Sequence, residues 1–567
     1  MVSTAGLSHH HVANDSAARG RKNSRAPWVI PILLCAIYAG ECAWFIRTQS
    51  LTFDEPVHVT AGLEAWREGR FARWNDHPPL QRLLCTLPLL SPKYQIAVEG
   101  QPDAYRVTAV QPDPQALAWR GRAVSVLLGI ALAFLLWMAA RSTFSTGAAN
   151  FVLALLVFSP AVVAHFSMIT TDGAGTLMIF AAALQLVRWR RDPSWRQTCL
   201  AGVVLGFLLL AKFYTPPMFL IAVGWMLVLT PEKYQLNPVR WNWGKTAVAV
   251  ALALLVLWAG YFFHVSRLSI RNGELTATFP NREEPIVKKV HSPINFSIPV
   301  PAGEYLEGLR TVAFHNHRGH RSYFLGEVSE KGGWKAYYPF VMLVKWPTLV
   351  LILIVVAAIA TILRRVRLPK DALVMASFPA VFLVFAIFSK IDIGDRHILP
   401  LYPFALLFCG VLWEWAEGRR AIMAVLLVML AVHAADSLRY APGYISYFNL
   451  FVAKDQGYKL LSDSNVDWGQ GLLAVKKYEE QHPGETIHLV YWGSMEPQLY
   501  GVQAAGLSAA QSPTGTVIAS VTALTGQFLP NPDTYRWLER YPRKRTLDHA
   551  LFVFEVGEKE AELRGKP

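Results

Sequence analysis

Long apolar segments recur through the first 436 residues and limit the fold of this chain more than any other feature. A bilayer core of about 30 Å needs about 20 apolar residues in a helix to cross it. The fifth and sixth of these segments are short and separated only by residues 212–217, so ten spans are an alternative to eleven. The pattern predicts an α-helical polytopic membrane protein with about eleven transmembrane helices. The runs lie near residues 28–46, 122–140, 147–165, 173–187, 198–211, 216–230, 247–266, 338–362, 373–388, 397–412 and 421–436.

Basic residues in the short connections predict the orientation, because Lys and Arg close to a span stay on the cytoplasmic side. They cluster before the first run, between the fourth and fifth, and between the eighth and ninth. We therefore expect a cytoplasmic N-terminus (1–27), a transmembrane module (28–436) and two long outer segments, 47–121 and 267–337. An odd number of spans places residues 437–567 on the outer side as well.

The net charge of +14 agrees with this topology, since most of the surplus lies in the predicted inner segments. The basic balance therefore indicates a lipid bilayer as partner and no nucleic acid. Five cysteines, four of them inside apolar runs, form neither a disulfide framework nor a metal-binding spacing.

The outer tail, residues 437–567, is more polar and predicts a small α/β domain. A helix is expected over 471–481, and strands over 486–492, 516–521 and 550–556. A dense polar cluster with one tryptophan, residues 462–470, is typical both of a sugar site and of a turn with a helix cap.

Acidic residues stand at the outer ends of the predicted spans. Asp54 and Glu55 follow the first span, Asp76 precedes His77 in the same outer segment, and Asp172 immediately precedes the fourth span. Asp54 and Asp172 also match the sequence pattern of helix N-caps. Ionisable groups at a membrane edge are nevertheless candidates for function.

Cationic residues are predicted at the same membrane face. Lys212 interrupts the fifth and sixth spans, and Arg396 with His397 stands at the entry to the tenth. A guanidinium is the preferred partner of phosphate oxygens. Lys345 lies inside the eighth span, where snorkelling is the ordinary explanation. Acids for a hydroxyl and cations for a phosphate at one surface indicate group transfer from a lipid phosphate.

The order and sidedness of these motifs resemble the GT-C integral-membrane glycosyltransferases. Within that class the chain is most similar to the protein O-mannosyltransferases and the bacterial aminoarabinose transferases. The matching residues are Asp54-Glu55, His77-Pro78-Pro79-Leu80, Thr171-Asp172, Lys212, and Arg396-His397 with Leu399-Pro400.

The resemblance implies a GT-C fold in a bacterial cytoplasmic membrane and transfer of a sugar, with inversion, from a polyprenyl or dolichyl monophosphate. The acceptor would be an extracytoplasmic lipid, glycan or protein. Asp54 would be the general base flanked by Glu55, and Asp172 would position the acceptor or a metal. Lys212 and Arg396, with His397 beside it, would bind the carrier phosphate.

One departure concerns a metal ion. The aminoarabinose transferases have Glu-Lys where this chain has Asp76-His77. This departure bears on the donor sugar as well as on metal ligation. A divalent cation held by Asp76, Asp172 or a histidine is a candidate cofactor.

Three other functions stay open at this stage. A transporter of lipid-linked sugars would need charge deep inside the spans, for which Lys345 is the candidate. A membrane scaffold would not require the acids and Arg396 at one face. Transfer of an oligosaccharide from a pyrophosphate carrier is not distinguished from use of a monophosphate.

Overall fold

The computed structural model describes residues 28–71, 74–101, 104–228, 242–282, 285–290, 294–366, 368–369, 371–509, 511 and 513–557. The predicted cytoplasmic N-terminus, residues 1–27, lies outside them. The helices are α1 (Val29–Thr48), α2 (Glu55–Glu68), α3 (Leu80–Thr86), α4 (Pro114–Thr143), α5 (Thr146–Val157), α6 (Pro160–His165), α7 (Asp172–Arg191), α8 (Trp195–Ala211), α9 (Pro216–Val228), α10 (Trp243–Gly260), α11 (Gly303–Arg318), α12 (Tyr337–Lys345), α13 (Thr348–Ile362), α14 (Ala372–Ile387), α15 (Tyr402–Ala416), α16 (Arg420–Leu438), α17 (Leu472–Gln481) and α18 (Val521–Thr525). The strands are β1 (Gln95–Gln101), β2 (Ala104–Gln111), β3 (Val265–Arg271), β4 (Glu274–Thr278), β5 (Ile286–Lys289), β6 (Phe296–Pro301), β7 (Ser322–Phe324), β8 (Glu327–Ser329), β9 (Ile487–Val490), β10 (Ala505–Gly506), β11 (Gly515–Ser520), β12 (Arg543–Leu547) and β13 (Leu551–Val556).

Each predicted apolar run contains helix, and the chain is an integral membrane protein. Among the described residues, five helical stretches are long and apolar enough to cross a bilayer: α1, α4, α10, α16 and the stretch Asp395–Ala416 that ends in α15. The helices α12 and α13 form a sixth candidate, bent by 110°. The helices α5, α8, α9 and α14 are apolar but shorter, so the number of about eleven spans stays a prediction.

Breaks in the predicted runs follow local chemistry. Helix α5 ends at Val157, two residues before Ser159 and Pro160, where α6 begins. Helices α12 and α13 separate at Trp346 and Pro347. Proline has no amide hydrogen to donate and clashes with the preceding turn, so it ends or bends a helix at both positions.

The two predicted outer segments contact each other, since Asn75 Nδ2 donates to the Glu304 carbonyl at 2.8 Å, and we call the face of the helix bundle that they cover the loop face. Residues 47–121 form α2, α3 and the antiparallel β1–β2 hairpin. Helix α4 then begins with regular capping, since Asp113 accepts a hydrogen bond from the Ala116 amide at 2.8 Å and Pro114 occupies the first turn. Strands β3 to β6 form a four-stranded antiparallel sheet in the order β5-β4-β3-β6, and α11 follows.

The tail contains the predicted elements. Helix α17 and strands β9, β11 and β13 fall where the sequence predicts a helix and three strands, and β11 is almost wholly buried. They belong to a five-stranded mixed sheet in the order β10-β9-β11-β13-β12.

The tail sheet and the first outer segment share one hydrophobic core. Leu51 and Val107 pack in the same cluster as Leu489 and Ile518. The Leu51 amide donates a hydrogen bond to the Tyr500 hydroxyl at 2.7 Å. The residues that follow α1 are therefore held directly against the tail.

Candidate active site at the loop face

Asp54 lies at the start of α2 and pairs with Arg396. Its side chain makes no capping hydrogen bond, so the predicted N-cap role is wrong. The physical reason is that Asp54 already has helical dihedrals, φ −83° and ψ −22°, whereas a capping residue has an extended backbone. Instead Asp54 Oδ2 accepts a hydrogen bond from Arg396 Nη1 at 2.8 Å. The Asp54 side chain remains 29% exposed, which leaves it open to a ligand.

Glu55, next in sequence, has a different environment. Its carboxylate is fully buried and receives Arg122 Nε at 2.8 Å and Arg122 Nη2 at 2.6 Å. The amides of Thr52 and Ile169 donate to the same carboxylate at 2.8 and 2.9 Å. Burial raises the pKa of Glu55, but Arg122 and these hydrogen bonds outweigh it and leave the pKa below its ordinary value. The ionised Glu55 carboxylate therefore links α2 to α4 and to the loop before α7.

Asp172 and Lys212 form a second, buried ion pair. Asp172 is the first residue of α7, and the side chain of the preceding Thr171 makes no capping hydrogen bond. Asp172 Oδ1 accepts a hydrogen bond from Lys212 Nζ, so this carboxylate is engaged by an ion pair. Lys212 lies between α8 and α9, as the sequence predicts, and its ammonium is 5.0 Å from the centroid of the Tyr214 ring.

The two ion pairs are close enough to interact. Arg396 is under the electrostatic influence of Asp54 and Asp172, and Lys212 under that of Asp172, Arg396 and Asp54. The fold therefore brings together four side chains that come from α2, α7, the α8–α9 break and the entry to α15. Such a cluster of paired acids and cations can hold a hydroxyl beside a phosphate.

His77 and Asp76 flank this cluster. His77 Nδ1 lies 3.0 Å from the Thr171 hydroxyl, while Asp76 Oδ1 accepts a hydrogen bond from Arg82 Nη2 at 2.9 Å. Burial, with the cations Arg82 and Lys212, lowers the pKa of His77, so its imidazole is neutral at pH 7. A small cleft reaches His77 from the side of α2, between Phe71, Trp74 and Tyr261, among other residues.

His397 is less directly involved. Its Nδ1 lies 3.2 Å from the Tyr338 hydroxyl, and the two rings are stacked. It is thus adjacent to Arg396 in sequence but bound to the tyrosine of α12.

The predicted ligands of a divalent cation, Asp76 and Asp172, have other partners in the structure. Within the described ranges no group of three or more His, Cys, Asp or Glu side chains gathers as metal ligands. Asp76 is engaged by Arg82 and Asp172 by Lys212, and such cationic partners compete with a metal ion for the carboxylate oxygens.

Three functional neighbours were not predicted. Arg122 holds Glu55, and Arg82 connects Asp76 to His58, whose Nδ1 accepts from Arg82 Nε at 2.9 Å. Arg122 is the first residue of the second predicted span, and Arg82 lies in the first predicted outer segment; these positions were the available signal.

The third neighbour is Trp468, from the polar cluster to which the sequence assigned no role. Its ring lies 3.9 Å from the guanidinium carbon of Arg396. Asp463 of the same cluster is also buried near Arg396. Burial raises the pKa of Asp463 to about 7, with Arg396 opposing the shift and Asp54 adding to it.

Comparisons with known proteins agree with the motifs. Residues 115–259, which include Asp172 and Lys212, match the sequence model of the family described as dolichyl-phosphate-mannose-protein mannosyltransferase. No curated protein sequence matches the chain.

Several solved structures are similar to the chain at low identity. ArnT from Cupriavidus metallidurans bound to undecaprenyl phosphate is 12% identical with a TM-score of 0.45, over 94% of this chain and 98% of that one. The S. cerevisiae protein O-mannosyltransferase Pmt1-Pmt2 complex bound to the sugar donor is 11% identical with a TM-score of 0.45, over 73% and 90%. The Archaeoglobus fulgidus oligosaccharyltransferase is 10% identical with a TM-score of 0.42, over 88% and 68%.

The family match lies in the helices that supply one of the two ion pairs, and the remaining motifs lie at the same face. Over residues 115–259 the chain therefore resembles the dolichyl-phosphate-mannose-protein mannosyltransferase family.

Proposed function

We propose that the protein transfers a sugar from a polyprenyl phosphate carrier to a hydroxyl of an acceptor at the loop face. The observation that carries this proposal is the partly exposed Asp54 carboxylate held 2.8 Å from Arg396, beside the Asp172–Lys212 pair. The name of the matching family, dolichyl-phosphate-mannose-protein mannosyltransferase, supports a lipid monophosphate as donor. The proposed orientation keeps the N-terminus in the cytoplasm and the loop face outside.

In this mechanism Asp54 is the general base. Its carboxylate takes the proton from the acceptor hydroxyl while that oxygen attacks the anomeric carbon of the donor sugar. The bond between this carbon and the phosphate oxygen breaks, and the electron pair leaves with the carrier phosphate, so the configuration is inverted. Arg396 and Lys212 stabilise the departing negative charge, which a phosphate leaving group needs more than it needs a proton.

The other predicted residues have supporting roles. Asp172 orients Lys212 through their ion pair, and Glu55 holds the backbone before Asp54 through Thr52 and Arg122. His397 keeps the entry to α15 against Tyr338.

The transport alternative rested on Lys345, and its contacts do not favour it. Lys345 Nζ donates to the carbonyl oxygens of Ile445 and Asn465 at 2.9 and 2.6 Å. This lysine therefore fastens the tail to the end of α12, next to the bend before α13.

Sugar transfer in proteoliposomes tests the proposal. Asp54→Asn should lower turnover of polyprenyl-phosphate-linked sugar by about 10²–10⁴-fold, the contribution of a general base. Asp533→Asn, at a carboxylate 68% exposed, is the matched control and should turn over as wild type. Parallel reactions with monophosphate and pyrophosphate donors distinguish the two carriers. Unimpaired turnover by Asp54→Asn removes Asp54 as the base.

A further inference from the structure

The polar cluster of the tail, residues 462–470, lies directly beside Asp54. The Phe53 amide donates to the Trp468 carbonyl at 2.8 Å, and the Ser50 amide donates to the Gln470 carbonyl at 2.9 Å. The Ser50 hydroxyl also donates to the Gly469 carbonyl at 3.1 Å. The backbone before Asp54 is thus fixed to a segment more than four hundred residues away in the chain.

Within this segment Trp468 contacts Arg396. The guanidinium carbon lies 3.9 Å from the ring centroid, in the range of a cation–π interaction. Trp468 is 1% exposed and Arg396 is 7% exposed. Arg396 Nη1 donates to Asp54, while Arg396 Nε is buried and has no hydrogen-bond partner among the described residues. Trp468 therefore restrains one face of the Arg396 guanidinium and Asp54 restrains its Nη1. Its Nε remains as a donor for a ligand oxygen.

The segment that carries Trp468 is itself firmly held. Asp467 Oδ2 accepts hydrogen bonds from the Ser520 hydroxyl and the Thr522 amide. Gln470 Oε1 accepts from the Trp468 amide at 2.6 Å. A ring anchored in this way can define the position of a guanidinium because it cannot follow the cation if the cation moves.

Residues 462–470 also contact the backbone at the entry to α15, next to Arg396. Asn465 Oδ1 accepts a hydrogen bond from the Asp395 amide at 3.2 Å, one residue before Arg396. The side chain of Arg396 and the backbone of the residue before it are consequently in contact with residues 462–470.

We propose that Trp468 is a positioning residue of the carrier-phosphate site, which holds the Arg396 guanidinium so that Nε and the remaining N–H groups receive a lipid-linked phosphate. This inference rests on the proposed function. If it holds, the tail is a component of the active centre, because Trp468 belongs to the tail and the Arg396 that it positions belongs to the membrane module. The alternative is that Trp468 only fills space in the core.

Binding of undecaprenyl monophosphate to the full chain, measured by native mass spectrometry, separates these two roles. Trp468→Phe keeps an aromatic face, whereas Trp468→Leu removes it, and both leave a smaller side chain. If the ring positions Arg396, Trp468→Leu should weaken binding by about tenfold and Trp468→Phe by no more than about threefold. Trp195→Leu removes an exposed ring 5.7 Å from Lys245 and is the matched control, with unchanged binding expected.

A double-mutant cycle with Arg396→Gln, which removes the cation, tests whether Trp468 acts through the arginine. In the Arg396→Gln background, Trp468→Leu should have no further effect on binding, because the two side chains act as a unit. Equal losses in the Leu and Phe variants, or losses that multiply with that of Arg396→Gln, would overturn the positioning role while leaving the proposed function intact. If the wild-type chain binds no undecaprenyl monophosphate, both proposals are wrong.

Discussion

Replacing Glu55 by Gln distinguishes the role of Glu55 from that of its neighbour Asp54, which the sequence alone places together in one catalytic pair. Glu55 Oε1 accepts from Arg122 Nε and the Ile169 amide, and Oε2 accepts from Arg122 Nη2 and from Thr52. A glutamine presents an NH₂ group in place of one oxygen. In either orientation that group faces at least two donors, and the buried guanidinium loses its countercharge.

The expected cost follows from the burial of the pair. Both Glu55 and Arg122 are fully buried, at 0% exposure. Removing one partner of a buried ion pair costs about 3–5 kcal/mol, because the other charge is left without compensation. We therefore expect Glu55→Gln to lower the free energy of unfolding by about this amount. The double variant Glu55→Gln with Arg122→Met should be more stable than Glu55→Gln alone.

The assay compares stability with turnover in the same preparations. Thermal unfolding in detergent, followed by circular dichroism, should show a midpoint several degrees lower for Glu55→Gln than for wild type. Below that midpoint, turnover per folded molecule should remain measurable, in contrast to Asp54→Asn. An unchanged midpoint together with a loss of turnover as deep as that of Asp54→Asn would refute the reasoning and make Glu55 catalytic.

Two further predictions concern the contacts between the tail and the membrane module. The Asp463 carboxyl, with its pKa raised to about 7 by burial, is neutral below that pH and becomes a negative charge beside Arg396 above it. Because this negative charge repels the donor phosphate, the KM for the donor should rise between about pH 6 and about pH 8. Asp463→Asn should abolish the rise. A pH-independent KM in the wild-type protein would contradict this prediction. Lys345→Met should loosen the tail by removing its bonds to two backbone carbonyls, seen as faster proteolysis around residues 445–465 than in wild type. Equal proteolysis of both proteins would show that Lys345 does not fasten the tail.

Local patterns were sufficient to predict much of the membrane module. Hydrophobic runs predicted where helices occur, and Pro347 marks the break between α12 and α13. The 110° angle at that break was not predictable, since it depends on packing against other helices. The strands of the tail followed from their composition, but their shared core with Leu51 joins distant parts of the chain.

The residues of the candidate site could be predicted from the sequence, but not which acid pairs with which cation. Asp54 and Glu55 are adjacent and chemically alike, yet one contacts Arg396 and the other Arg122. Successive helical residues point about 100° apart, so only the tertiary structure decides which cation each acid meets. Trp468 gave no comparable signal because its partner, Arg396, is distant in the sequence.

The most direct test of the account is a cryo-electron-microscopy structure of the full chain with undecaprenyl monophosphate. We expect density for the phosphate at the loop face, within hydrogen-bonding distance of Arg396 and Lys212 and beside Asp54. Phosphate density at another location, for example in the cavity lined by Arg365 and Arg419 at the other end of the bundle, would contradict it.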